Sequence, residues 1–292
     1  MPFIKVLILF LSASFVCQQA QAGNIDPDLP AINYVSYSAP DLLNPGQLLT
    51  ISGQLRMPAS ADDSGDIPAV VIMHGSAGVD SRGALYAREL NLAGIATLEV
   101  DMWGARGLSG GGNRPPLPTV TVPDAFGALQ YLAQMPGIDG SRVGLLGFSW
   151  GGVVSMLSAN QLYADGFGGG LQFAAHVAHY PVCWGYNVGI PGIVFDVLTG
   201  APVLIQIGDK DDYDEGGAVC ENLASAHDEV SVIVYPNAHH AWDRLQPALT
   251  VNDPFSHLGA GGEVNIVPNP GKARQSTRNA VQFFASELGL NP

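Results

Sequence analysis

Hydrophobic and polar positions along the chain follow two alternating patterns. Short apolar runs recur at 69–73, 95–100, 142–148, 173–180, 203–207 and 230–235. Such runs are what strands buried on both faces require. Segment 49–57 instead alternates apolar and polar, as a half-buried strand does. Between these runs, apolar residues recur at helical spacing over 83–93, 123–133, 150–160, 214–227 and 274–288. Pro123 sits near the start of one helix, where proline is tolerated. Gly216 and Gly217 weaken the segment 214–227. Strands alternating with helices predict an α/β fold with a mainly parallel sheet covered on both faces. Two glycine-rich stretches, 104–112 and 166–170, read as surface loops. No internal repeat and no clear linker interrupts the pattern.

The first residues fall outside this pattern. One lysine, Lys5, precedes an apolar run over 6–16, and Ala20-Gln21-Ala22 follows. That is the layout of a signal peptide cleaved after Ala22. The run is too short to span a bilayer, which takes about 20 residues. Cys17 raises a lipoprotein alternative, but Val16 stands where a small residue is expected. The expected product is residues 23–292, one domain, secreted or periplasmic and free of the membrane. Its size suits a single large α/β domain. The formal net charge of −14 becomes −15 once Lys5 is lost. Such a surface repels phosphate backbones, which argues against a nucleic-acid partner. Cys183 and Cys220 survive leader removal, and an oxidising compartment favours their pairing. A bridge would close 37 residues, worth about 3–4 kcal/mol in the loop-entropy model. Two separate buried thiols are the alternative.

Gly147-Phe148-Ser149-Trp150-Gly151 fits G-x-S-x-G between a predicted strand and a predicted helix. That is a nucleophile elbow, in which a tight turn exposes the serine and glycines give the backbone room. A serine hydroxyl needs a base, and the base needs an orienting carboxylate. In this arrangement the order is Ser, Asp or Glu, then His. Asp209, Asp211 and Asp212 follow the strand 203–207. His239 and His240 follow the strand 230–235. Ligands of such sheets bind beyond these carboxyl ends. His176, His179, His227 and His257 fit the role less well. The strand 69–73 leads into His74-Gly75-Ser76-Ala77-Gly78, an H-G-x-x-G loop. The N–H groups of Ser76 and Trp150 are therefore the expected oxyanion donors. His74, Asp101, Trp103 and Arg106 are candidate substrate-rim residues; for Asp101 and Arg106 the alternatives are a structural ion pair, which is favoured, or contact with substrate.

Five segments together resemble the dienelactone hydrolase family of α/β-hydrolases. They are Met73 through Gly78, Asp101 through Gly107, Gly147 through Gly152, Ile207 through Asp212 and Tyr235 through His240. The resemblance implies that Asp211 orients and that His240 is the base. The enzymes that named the family carry cysteine at the elbow, where this chain has Ser149. The implied activity is thus a general carboxylic ester hydrolase acting on a small-molecule ester without a cofactor. A peptidase or acyltransferase of the same fold is the enzymatic alternative. A non-catalytic binding protein of this fold is the other, although such proteins usually lose a triad member. A metal site from His176, His179 and Cys183 lacks a full ligand set. Oligomeric state is not legible.

Overall fold

The structure is a computed structural model that describes residues 32–59, 61 and 67–290. The expected leader, 1–22, lies outside the described residues. Eight strands form one sheet: β1 (Ile32–Pro40), β2 (Leu48–Arg56), β3 (Ile67–Met73), β4 (Ala96–Asp101), β5 (Ile138–Phe148), β6 (Ala175–His179), β7 (Val203–Lys210) and β8 (Val230–His239). Their spatial order is β1-β2-β4-β3-β5-β6-β7-β8. The β1-β2 and β2-β4 pairs are antiparallel, and every pair from β4 to β8 is parallel.

The apolar runs are continuous because both faces of the parallel strands are buried. Successive side chains point to opposite faces, so each strand feeds two cores. Ala69, Val71, Met73 and Leu145 join a core with α2 (Val122–Leu132) and α3 (Trp150–Ser158). Val70, Ile72, Leu146 and Phe148 join a second core with α1 (Ser81–Leu92) and α7 (Pro270–Glu287). Phe284 of α7 is fully buried there, which contributes about 1.5–3 kcal/mol for a side chain of its size.

Several elements depart from the sequence pattern. β1 is half-exposed and edges the sheet, with only Tyr37 and Ala39 buried. The helix expected over 214–227 shrinks to α5 (Ala218–Ala224). Glu215 and Gly216 have φ of 52° and 105°, which a right-handed helix cannot include. A short helix, α4 (Gln161–Phe167), takes in the start of the glycine-rich stretch read as a loop. A separate hairpin, β9 (Leu249–Asp253) with β10 (Gly262–Ile266), was not foreseen. A one-turn element between them, α6 (Ser256–Gly259), holds His257 and Leu258 in left-handed backbone.

Register is what positions the site. In the parallel pair β7-β8, Lys210 lies opposite His239. The next residues, Asp211 and His240, therefore leave the sheet side by side. Likewise Gly147 of β5 lies opposite Met73 of β3. This delivers Ser149 beside the loop that begins at His74.

Candidate active site

Ser149 sits at the tip of β5 with φ 52° and ψ −109°, a strained geometry for a residue with a Cβ. Its N–H donates to His179 O at 2.9 Å, and α3 starts at the next residue. The turn closes only because its neighbours lack side chains. A Cβ on Gly147 would lie 1.8 Å from Gly151 O, and one on Gly151 would lie 2.1 Å from Met73 O.

His240 Nε2 lies 2.9 Å from Ser149 Oγ, and His240 Nδ1 lies 2.8 Å from Asp211 Oδ2. The other Asp211 oxygen, Oδ1, accepts the Tyr213 N–H at 2.9 Å. Asp211 and His240 are buried, while Ser149 is half-exposed at the floor of a cleft. The His240 ring is held between Tyr180 and Tyr213, with centroids at 4.6 and 4.4 Å. Of the aspartates and histidines left open by position alone, Asp211 and His240 are the two that converge on Ser149. Asp209 accepts the Asn237 N–H and Asp212 the Asn265 N–H, so both tie loops together.

Ser76 and Trp150 both line the cleft beside Ser149. Trp150 opens α3, so its N–H has no acceptor within the helix. The next N–H, of Gly151, is taken by His74 O at 3.1 Å. The Ser76 carbonyl is fixed by the Gly111 N–H at 2.7 Å and by Trp103 Nε1 at 3.1 Å.

His74 and Trp103 are not at the rim. Both are buried. His74 Nε2 accepts the Met102 N–H at 3.0 Å, which leaves Nδ1 to carry the proton and donate to Gly75 O at 2.7 Å. Trp103 packs edge-on against His74 and Trp150. The two side chains thus brace the Ser76 loop from behind. The expected ion pair between Asp101 and Arg106 does not form. Asp101 Oδ1 accepts the N–H groups of Trp103 and Gly104, capping the turn after β4. Arg106 forms a two-pronged pair with Asp124 of α2 at 2.7 and 3.0 Å. Asp124 is buried, and a bidentate partner there satisfies a charge that solvent does not. Burial still pushes the Asp124 carboxyl up to about 6, with Arg106 pulling the other way.

Cys183 and Cys220 are bonded, with Cα atoms 5.1 Å apart. Between the segments they join lies Asp214, three residues beyond Asp211. Its carboxylate accepts the N–H groups of Cys183 and Trp184 at 2.8 and 2.7 Å. Burial, reinforced by the nearby Asp211 charge, pushes Asp214 up to about 7. His176 and His179 are both fully buried, which lowers them to about 3 and about 4. His176 packs against Phe173 on one face of the sheet, and His179 against Tyr86 and Phe148 on the other. They cannot share one metal ion with Cys183.

Other site residues escaped the sequence reading. Arg114, the sole cation between Arg106 and Arg142, reaches from the glycine-rich loop into the cleft. Its NH2 donates to Asp253 of β9 at 2.6 Å, and its guanidinium lies 5.5 Å over the Trp150 ring. That isolation in a cation-poor chain was its one signal. Behind His240, Tyr180 and Tyr86 donate to buried Asp243 at 2.5 and 2.8 Å, and Arg82 donates to the Tyr180 hydroxyl at 3.1 Å.

Comparison with known proteins bears on the family and the fold. The family model for the dienelactone hydrolase family matches residues 52–288. A curated protein of Bradyrhizobium sp, named "Probable 2-oxo-3-(5-oxofuran-2-ylidene)propanoate lactonase", is 24% identical over 61% of this chain and 75% of its own length. The dienelactone hydrolase of Anabaena variabilis superposes with a TM-score of 0.56 at 20% identity, covering 89% of this chain and 99% of its own. Esterase 2 of Thermogutta terrifontis, solved after phosphoramylation by tabun, gives a TM-score of 0.61 at 16% identity, covering 90% of this chain and 97% of its own. The structural likenesses speak for the α/β-hydrolase fold, and the family match, which spans most of the chain, identifies the protein as a hydrolase belonging to the dienelactone hydrolase family.

Proposed function

We propose that the chain is a carboxylic ester hydrolase that works through an acyl-enzyme on Ser149. The observation that carries this reading is the unbroken relay from Asp211 through His240 to Ser149, at 2.8 and 2.9 Å. His240 Nε2 takes the Ser149 proton as Oγ bonds to the ester carbonyl carbon. Asp211 holds the imidazole with Nδ1 protonated and stabilises the imidazolium that forms. The N–H groups of Ser76 and Trp150 receive the oxyanion, a donor pair in which each member is typically worth about 3–4 kcal/mol. His240 then gives its proton to the leaving alkoxide as the C–O bond breaks. Water attacks the acyl-enzyme, again losing a proton to His240, and collapse returns Ser149 and the free acid.

A lactone is a cyclic ester and falls within the same chemistry, in keeping with the name of the Bradyrhizobium relative. The substrate is a small molecule that enters the cleft over Ser149. We propose further that residues 1–22 are a cleaved leader and that 23–292 act as one catalytic domain outside the cytoplasm. The disulfide supports an oxidising compartment. Among the described residues no helix is long and apolar enough to cross a membrane. N-terminal sequencing of the exported protein should begin at Gly23, and a retained Met1 would reject the leader.

The test of the mechanism is Ser149→Ala on the mature protein. Hydrolysis of p-nitrophenyl butyrate should fall at least about 10³-fold with an unchanged circular dichroism spectrum. A fluorophosphonate probe should label wild type once, at Ser149. The tabun adduct of the Thermogutta esterase makes such probes a natural choice. Wild-type activity in the alanine variant would overturn the reading.

A further inference from the structure

The cleft over Ser149 has two lobes that differ in polarity, and this inference rests on the esterase reading above. One lobe is walled almost wholly by carbon, from Leu117, Val153, Val182, Trp184, Ile193 and Phe255. The other, the polar lobe, sets Asn252, Arg244 and the Gly111 and Gly112 backbone among Leu249, Val251 and Ile266. Ser149 and Ser76 line both lobes, as do Arg114, Tyr213 and Asp253. Those last three form a partition above the nucleophile. Arg114 pairs with Asp253, and Tyr213 lines the cleft beside the same carboxylate. The remaining Arg114 N–H groups have no acceptor among the described residues, so the partition presents donors to the cleft.

Which half of an ester enters which lobe follows from the position of the acid. The group that protonates the leaving alkoxide must lie beside the leaving oxygen. His240 lines the polar lobe and does not line the apolar one. The alcohol half therefore leaves through the polar lobe, and the acyl half sits in the apolar lobe across the tetrahedral carbon.

We propose that the substrates are esters joining an apolar acyl group to a hydrophilic, hydroxylated alcohol, with Arg114 and Asp253 selecting the alcohol. A hydroxyl suits this pair because it can accept from the guanidinium and donate to the carboxylate at once. The wall of the acyl lobe is fixed in place. Val182 holds a left-handed backbone with φ 54°, strained for a β-branched residue. The next two residues are anchored by the disulfide and by both oxygens of Asp214. The alcohol lobe is instead closed by the β9 end of the hairpin.

The test compares glyceryl butyrate with propyl butyrate, each kcat/KM divided by the rate of alkaline hydrolysis. Wild type should favour the glyceryl ester by about tenfold or more, the scale of one hydrogen bond to a charged group. Arg114→Met should bring that ratio to near one. Phe255→Ala should leave it within about twofold, and should shift the optimum along glyceryl acetate, butyrate, hexanoate and octanoate to longer acyl groups. Each readout is a ratio from one protein preparation, so partial unfolding cannot imitate it. A wild-type ratio near or below one overturns the proposal. So does a ratio that survives Arg114→Met, or one that Phe255→Ala erases. Fluorophosphonate labelling of Ser149 separates the two readings. A labelled enzyme with no alcohol preference, or with no activity on either ester, sinks only the lobes, whereas an unlabelled and inactive one sinks the esterase reading.

Discussion

The floor of the candidate site is carried by strand ends, while its walls are carried by loops and a hairpin beyond them. On the floor, Ser149, Asp211 and His240 each follow a strand whose neighbours fix it in register. Three parallel pairings, Phe148 with His179, His179 with Gln206 and Lys210 with His239, carry the register from Ser149 to Asp211 and His240. The walls lie outside that ladder. Arg114 comes from a glycine-rich loop, Trp184 from the loop after β6, and Asp253 and Phe255 from the hairpin region. They are held by side-chain ties: one ion pair, one disulfide and one buried carboxylate. Strand register is a collective property that no single side chain can undo. A tie between loops depends on a few atoms. The floor should therefore respond to mutation in rate, and the walls in stability and selectivity.

The largest effect expected belongs to the floor. Asp211→Asn keeps the shape but favours the wrong imidazole tautomer, and should lower kcat by about 10⁴-fold. Thermal unfolding should show a native-like transition. If kcat falls less than about tenfold, Asp211 is not the orienting group. Next comes the wall. Cys220→Ser should cost about 2–5 kcal/mol in denaturant unfolding. Ser149 labelling by fluorophosphonate should proceed at near wild-type rate below the transition, while acyl-length preference flattens. A thousandfold loss of labelling would mean that floor and wall are one unit.

Smaller still is the effect of the network behind His240. Tyr180→Phe keeps the ring that packs on His240 but removes a hydroxyl shared by Asp243 and Arg82. Leaving buried partners unsatisfied should cost about 1–3 kcal/mol of stability. Activity should change less than about threefold. A large loss of kcat with stability intact would move Tyr180 from support to chemistry.

The same division explains what the sequence made legible. The floor could be read because buried parallel strands leave continuous apolar runs, and the residues just past them are the ones that matter. The expectation for Asp101 and Arg106 failed because it took nearness in the chain for nearness of charge. Asp101 spends its carboxylate on the backbone of its own turn, and α2 delivers Asp124 to Arg106 from 18 residues away. His74 and Trp103 follow strands too, but their side chains turn inward beneath the loop. Asp253 could not be read at all. Its position depends on a hairpin whose strands are mostly exposed, with a left-handed turn at His257 and Leu258 between them. β1 escaped for a related reason, since an exposed edge strand leaves little hydrophobic trace.

Asp214 stands where floor and wall meet, and its proton offers the finest probe of the boundary. Its folded-state value near 7 lies above the ordinary carboxylate value of 3.8. The folded protein thus holds a proton that the unfolded chain releases between about pH 4 and 7. The stability linked to that proton is complete below about pH 4 and is lost as the pH rises through 7. Asp124, raised to about 6, contributes in the same direction. His176 and His179, lowered to about 3 and about 4, contribute in the opposite one up to about pH 6.5. The wild-type curve sums all four, so the informative quantity is the difference between wild type and Asp214→Asn. Asparagine removes the titration and keeps one good acceptor for two N–H groups, which adds an offset that does not vary with pH. The difference curve should slope by up to about 1.4 kcal/mol per pH unit between pH 4 and 7, with wild type losing ground as the pH rises. Urea unfolding at half-unit steps reads it directly. If the acyl wall depends on this carboxyl, wild-type acyl selectivity should change over pH 6–8 while that of Asp214→Asn stays level. A flat difference in stability would mean that Asp214 keeps its charge when buried, and that the two N–H groups and the disulfide hold the wall without help from the proton.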